Sequence, residues 1–303
     1  MFKVIKRRPK LWIGMAVCVG LGLLLLDYLH WDDRLVFLWQ ERNTSEQQQA
    51  ESIWLPGYRA VIQAQPLEGL AESETSGLSW SPLSNTLFTV TGRIPKLVEL
   101  SLEGEVLRTV ELRNFSDPEG VEVLSDGRIA IIDERRAQMT VFRLAPGAQF
   151  IDAATLPAIS LGDSRAHNKG FEGVAWDARN QRLLLAKERS PFGLFSLPFP
   201  ELDEGGSAAP QALLELRSKQ VFMRDFSSLA IDQRSGHVLV LSDESRMLLE
   251  LDRQGNPVSF ISLAMGFNGL TRSIKQAEGV AMDAQGTIYI VSEPNLFYVF
   301  KKR

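Results

Sequence analysis

The sequence predicts an all-β protein: a five-bladed β-propeller with four-stranded blades, its ring closed by an N-terminal strand, preceded by a single N-terminal transmembrane helix. Three observations carry this expectation. One five-residue pattern recurs five times, at intervals of 43, 53, 55 and 51 residues. Between recurrences, short apolar strands alternate with turns rich in Gly, Asn and Asp, and no helical stripe follows residue 52. Ahead of all this stands one long apolar run, 11–26, behind a basic decapeptide.

The chain has 303 residues, 45% hydrophobic and 23% charged. Those proportions fit a folded body and exclude a disordered tail, a collagen or a multi-spanning transporter. Net charge is −4, so no whole-chain basic field points to nucleic acid as a partner. The charge is unevenly spread. Residues 1–10 carry Lys3, Lys6, Arg7, Arg8 and Lys10 and no acid, which leaves −9 on the other 293 residues.

The elements follow in chain order. Residues 1–10 read as a cytoplasmic basic head. Residues 11–29 read as a membrane anchor: at ~1.5 Å per residue they come close to a ~30 Å hydrocarbon core. Trp12 and Tyr28 or Trp31 would sit at the two headgroup levels, with positive charge inside. A cleaved signal peptide is the rival reading, but the residues after the apolar run offer no small-residue cleavage site. The expected location is therefore a bacterial inner membrane, with the amino terminus cytoplasmic and the propeller in the periplasm. Cys18, the one cysteine, lies inside the span, so the body holds no disulfide. Residues 30–52 read as a short juxtamembrane helix and polar linker, and 53–303 as the propeller.

The repeats align on Ser76, Glu119, Glu172, Ser227 and Glu278, four of the five followed by a Gly–aliphatic pair and the fourth by Ser228–Leu229. Each copy continues with a polar turn, an apolar strand, a polar loop and a strand ending in an apolar pair. A fourth strand is clear at 106–112 and 258–263. The last copy stops after its third strand, and residues 58–63, strand-like and unassigned, are expected to complete it. Four strands per copy, five times over, is the propeller signature, and end-to-end pairing removes an open edge.

The inner strand of each blade begins at the aligned position, and the next strand runs back to the same face. Glu278 and Glu293 should therefore meet at one hairpin mouth, as should Glu119 with Glu134 and Glu172 with Glu188; Asp243 and Glu244 stand at the corresponding end in the fourth blade. Where the first position is Ser, an acid stands two residues earlier, Glu74 and Asp225. A carboxylate ring around a narrow channel repels itself unless a hard cation binds. Ca2+, which takes about six to eight oxygen ligands, suits acids spread over several blades. Zn2+ or copper would want His or Cys, and the body has only His167 and His237. The competing reading is a structural network, the acids capping backbone N–H groups and neutralised by Arg135, Lys187, Arg189, Arg224, Arg246 and Lys275.

Other features point less far. Residues 162–167 place Asp, Ser and His together, but proximity in a loop does not make a triad. Phosphate-loop, HExxH and EF-hand spacings are missing from the sequence. Trp80 and Trp176 read as core packing. Residues 43–45 fit the glycosylation pattern by chance as easily as by purpose.

At the repeats, SGLSWSPLSNTLFTV (76–90), DPEGVEVLSDGRIAIIDERR (117–136), NKGFEGVAWD (168–177), VLVLSDESRMLLELD (238–252) and QAEGVAMDAQGTIYIVSEPNLFYVFKK (276–302) resemble the SdiA-regulated family, over about 53–303. The resemblance implies a five-bladed propeller distantly similar to NHL-repeat proteins, inner-membrane attachment and a bound calcium. Its candidate ligands are Glu119, Glu172 and Glu278, with Glu134, Glu188, Glu244 and Glu293 nearby. Two functions are open. One is a tethered binding module for an extracytoplasmic protein, glycan or small ligand. The other is a metal-dependent hydrolase, lactonase- or phytase-like, for which Lys169, Arg189, Arg224, Arg246 and Arg272 would favour an anionic substrate.

Overall fold

A computed structural model describes residues 9–28, 37–38, 41–162, 170–187, 193–198, 210–215 and 221–303. The chain divides into two units, Met1–Thr44 and Ser45–Arg303. In the first, helix α1 (Pro9–Tyr28) covers the apolar run, and Trp12, Ile13, Met15, Val17, Val19 and Leu21 are exposed on it. Side chains of α1 are described for residues 12–22 only. Taken over the described residues, no helix is long and apolar enough to cross a membrane. The expected transmembrane anchor thus rests on the sequence.

The second unit opens with a short helix, α2 (Glu46–Ala50), started by a reciprocal cap. The Gln48 N–H donates to Ser45 Oγ at 3.3 Å, and the Ser45 N–H donates to Gln48 Oε1 at 3.1 Å. No residue of α2 is buried. From there the chain forms strands β1 (Tyr58–Pro66), β2 (Thr75–Ser81), β3 (Thr86–Thr91), β4 (Lys96–Leu100) and β5 (Val106–Arg113). Then come β6 (Pro118–Val123), β7 (Arg128–Asp133), β8 (Gln138–Arg143), β9 (Phe150–Asp152) and β10 (Ala158–Ser160). The third blade holds β11 (Phe171–Asp177), β12 (Arg182–Lys187), β13 (Gly193–Pro198) and β14 (Gln211–Glu215). The fourth holds β15 (Ser228–Ile231), β16 (Val238–Ser242), β17 (Met247–Leu251) and β18 (Pro257–Ser262), and the chain ends with β19 (Ala277–Met282), β20 (Ile288–Ser292) and β21 (Leu296–Lys302).

These strands make five sheets, β2-β3-β4-β5-β9, β6-β7-β8-β10, β11 to β14, β15 to β18, and β19-β20-β21-β1. Inner strands touch in a ring: β2 against β6, β6 against β11, β11 against β15, β15 against β19, and β19 against β2. The expected closure is present. Strand β1 pairs antiparallel with β21 from Tyr58 opposite Lys302 to Pro66 opposite Leu296. One departure from four strands per blade occurs after β8, where β9 adds parallel to the outer edge of the first blade and β10 takes the outer place in the second.

Apolar cores lie between adjacent blades. Phe88, Val90 and Leu97 of the first pack with Val121, Ile129 and Phe142 of the second. Leu239, Leu248 and Ile261 of the fourth pack with Val280, Ile288 and Phe300 of the fifth. Burial between blades is why the middle strands read as continuous apolar runs; all five residues of β16 are buried.

Candidate functional site

Four of the five repeats open on a register irregularity or a close glycine approach, and this positions the acids. The pairing slips between Pro118 and Gly120, between Phe171 and Gly173, and between Ala277 and Gly279. Glu119, Glu172 and Glu278 are the extra residues at these bulges, a device that re-aims one side chain out of the ladder. The glycine after each acid lets neighbouring inner strands approach. A Cβ on Gly120 would lie 2.5 Å from the Glu172 carbonyl oxygen, and one on Gly279 would lie 2.7 Å from the Gly77 carbonyl carbon. The hairpin partners return as expected: Pro118 faces Asp133, Phe171 faces Lys187 and Ala277 faces Ser292.

The second blade carries the tightest group of acids. Asp117, Glu119 and Glu134 each offer an oxygen lying within 4.8 Å of the others. Two oxygens bound to one Ca2+ at ~2.4 Å are at most ~4.8 Å apart, so the spacing suits a shared ion. The facing position in the first blade is Gly92, where a Cβ would stand 3.4 Å from Asp117 Oδ1 and 3.6 Å from Glu119 Oε1. Glu134 accepts the Gly170 N–H at 2.9 Å, and Asp117 is paired with Arg135 at 2.8 Å. Asp117 was absent from the expected set. Its signal was there to read: it stands two residues before Glu119, as Glu74 and Asp225 stand before Ser76 and Ser227.

Electrostatics tie the mouth together. Burial, against a Ser76 hydrogen bond and with the charges of Asp117, Glu134 and Glu293, pushes the Glu119 carboxyl up to about 8. Burial, then Asp243, Glu119, Glu293 and Asp225, push Glu278 up to about 9. Glu293 is raised by burial and by Glu74 and Asp243, with Arg93 opposing. It accepts the Gln276 side-chain amide at 2.6 Å, and Asp243 accepts the Gln276 N–H at 2.7 Å. The expected companions divide at this point. Glu244 forms an ion pair with Arg224 at 2.8 Å, while Glu188, Lys169, Arg189 and His167 fall outside the described residues. Glu172 stands at its bulge at the same mouth.

Some of the acids brace loops, as the structural reading expects. Asp225 accepts the Ser242 hydroxyl and the N–H groups of Asp243 and Glu244 at 3.1 and 3.2 Å. Asp133 accepts the N–H groups of Ser116 and Arg136 at 2.7 and 3.2 Å. Arg93 pairs with Glu74, and Arg246 and Arg272 are exposed.

Residues 50–301 match the SdiA-regulated family, and the match covers the repeats, the bulged acids and the closing strand. The chain belongs to that family. Among solved structures, this SdiA-regulated chain is similar to regucalcin from Agrobacterium tumefaciens str. C58, described as a calcium-binding protein. Identity there is 11%, the TM-score is 0.50, and 79% of this chain and 93% of that one are covered. A gluconolactonase from Xanthomonas campestris is 13% identical with a TM-score of 0.47, over 80% of this chain and 90% of that one. A virginiamycin B lyase from Staphylococcus aureus is 10% identical with a TM-score of 0.42, over 76% of this chain and 67% of that one. At these identities the likeness is one of fold.

Proposed function

We propose that this SdiA-regulated protein is an extracytoplasmic binding module, tethered to a bacterial inner membrane, whose propeller holds Ca2+ at the acid mouth of its channel. The observation that carries the reading is the Asp117, Glu119 and Glu134 group, three carboxylates sharing one small volume, with Arg135 paired to Asp117. The donor set is oxygen only, as a hard cation prefers. Glu119 and Glu278 supply the motive: both are costly to ionise where they stand, and a divalent ion offsets that cost. The calcium described for regucalcin makes Ca2+ the first ion to try.

A second reading is favoured by Glu278. A carboxyl raised to about 9 beside a metal-binding group holds its proton at neutral pH, the state needed in a general acid for ester or lactone hydrolysis. The binding module is preferred because Arg224, expected to attract an anionic substrate, is paired with Glu244, and Arg246 and Arg272 are exposed.

Thermal melts of the full-length protein in detergent, with calcium and with chelator, test the site. At a hundredfold excess over Kd, an ion bound to the folded state alone adds ~2.7 kcal/mol. Glu119→Gln and Glu134→Gln should each reduce the calcium-dependent shift, because each keeps the volume and removes one charged ligand. An unchanged melt of the parent protein with calcium discards the ion. A lactone and phosphoester panel then separates the hydrolase from the binding module.

A further inference from the structure

The channel has a second end, and the repeats that place the acids do not account for it. Three inner strands carry a bulged acid at their second residue and run on to the opposite face, where a cavity of about 200 Å³ opens. Its wall is apolar and aromatic, formed by Leu78 and Trp80 of β2, Val123 of β6, Trp176 of β11, and Val280 and Met282 of β19. Trp176 is buried in the core, as expected, while Trp80 is half-buried, and both border this space. Their indole N–H groups point to other partners. Trp80 Nε1 donates to Asn85 Oδ1 at 3.2 Å and Trp176 Nε1 to Ser125 Oγ at 3.1 Å. Both indole donors are thus engaged, and what the two residues add to the lining is aromatic carbon.

One carboxylate stands in that wall. Glu122 accepts the Ser79 hydroxyl on Oε2 at 2.7 Å and the Trp176 backbone N–H on Oε1 at 2.9 Å. A carboxylate has about four acceptor sites, so each oxygen retains capacity. Burial pushes this carboxyl up to about 7, with the Ser79 and Trp176 hydrogen bonds opposing. At the rim, Asp232 holds Arg234 at 3.2 Å, and Asp283 accepts the Tyr289 hydroxyl at 2.8 Å. Among the described lining residues the acids are Glu122, Asp232 and Asp283, against the one base Arg234.

We infer that this cavity binds a small organic cation, a primary ammonium on a compact aromatic or branched apolar body. An ammonium supplies Glu122 with the positive partner it lacks in the cavity wall, and the indole faces attract a cation through their ring quadrupoles. The apolar wall accepts the body of the guest. Pockets for drug-sized ligands run roughly 300–1,000 Å³, so a cavity this small selects a single-ring molecule. An anion would meet three acids, and a neutral analogue would forgo the ion pair.

Calorimetric titration of the full-length protein with benzylamine, benzyl alcohol and phenylacetate at neutral pH tests the inference. Benzylamine should saturate one site at least ~10-fold more tightly than the alcohol, and phenylacetate should give no saturable heat. Glu122→Gln should lower benzylamine affinity ~10-fold and leave the alcohol unaffected. Trp80→Leu, at a half-buried position that the fold tolerates better, should also weaken the amine more than the alcohol. Absent benzylamine binding, or equal binding of all three probes, overturns the inference. So does benzylamine affinity that falls with Glu119→Gln and not with Glu122→Gln, because that locates the amine at the acid mouth.

Discussion

Glu122 and Glu119 lie three residues apart on one strand and differ in how visible they are in the sequence. Glu119 opens a motif that recurs, so its alignment with Glu172 and Glu278 makes it a candidate before any coordinates. Glu122 occupies an ordinary strand position with no counterpart in the other copies, and only the fold reveals that it faces a cavity. It also has a pH signature. Its carboxyl rises from the ordinary 4.5 to about 7 because burial outweighs two hydrogen bonds. The folded state thus binds this proton more tightly than the unfolded chain. The stability it contributes is present below about 4.5 and is lost as pH rises through about 7. Glu122→Gln cannot ionise, so melting temperatures of the variant should fall less than the parent's between those two values, whatever the offset between the curves. Parallel profiles would contradict this account. The glycine beside each blade-start acid was legible as a marker, but its reason is steric: with a Cβ 2.5 Å from the Glu172 carbonyl oxygen, Gly120→Ala should cost roughly 1–3 kcal/mol.

Ring closure belongs to the scale of elements, and most of it was readable. Residues 58–63 looked like a strand with no blade of their own, and the last copy lacked an outer strand; pairing of β1 with β21 joins the two. What the pattern did not disclose is how the chain before β1 is fastened. Glu250, fully buried in β17, accepts the N–H groups of Ile53 and Trp54 at 2.8 and 3.0 Å and the Ser259 hydroxyl at 2.5 Å, with His237 Nδ1 at 2.6 Å. The acid itself repeats, as Glu99 in the first blade, but the partners that make Glu250 a latch had to be seen. Likewise β9 and β10 have three residues each, too few for a period to show. Deleting 53–64 removes both latch and outer strand and should abolish a cooperative melt. Deleting 46–50 should leave the melt unchanged, since α2 buries nothing. Glu250→Ala strands several buried donors and should cost about 3 kcal/mol or more. Similar melts for the two deletions would refute the closure argument.

At the scale of the whole molecule, the repeat period made the propeller legible, because five copies of one unit cannot bury their faces except against one another. The ligands were not legible to the same degree, since an ion or an amine leaves no residue of its own in the chain. The charge distribution leads to one more expectation. Five cations and no acid occupy residues 1–10, while the rest of the chain carries −9. Between them, α1 has 20 residues, about 30 Å of helix at ~1.5 Å each. On the proposed tether, the basic end stays in the cytoplasm and the acidic propeller is exported, as the positive-inside rule requires. An alkaline phosphatase fused after Arg303 should then be active, because that enzyme matures only in an oxidising compartment. The fusion should sediment with membranes after an alkaline wash and retain residues 1–26. Substituting Lys3, Lys6, Arg7, Arg8 and Lys10 together by Gln should reduce reporter activity by mixing the two orientations. A mature amino terminus near residue 30, or an inactive phosphatase with an active cytoplasmic reporter at the same position, would remove the tether and the periplasmic location together while leaving the calcium and amine sites to be judged by their own titrations.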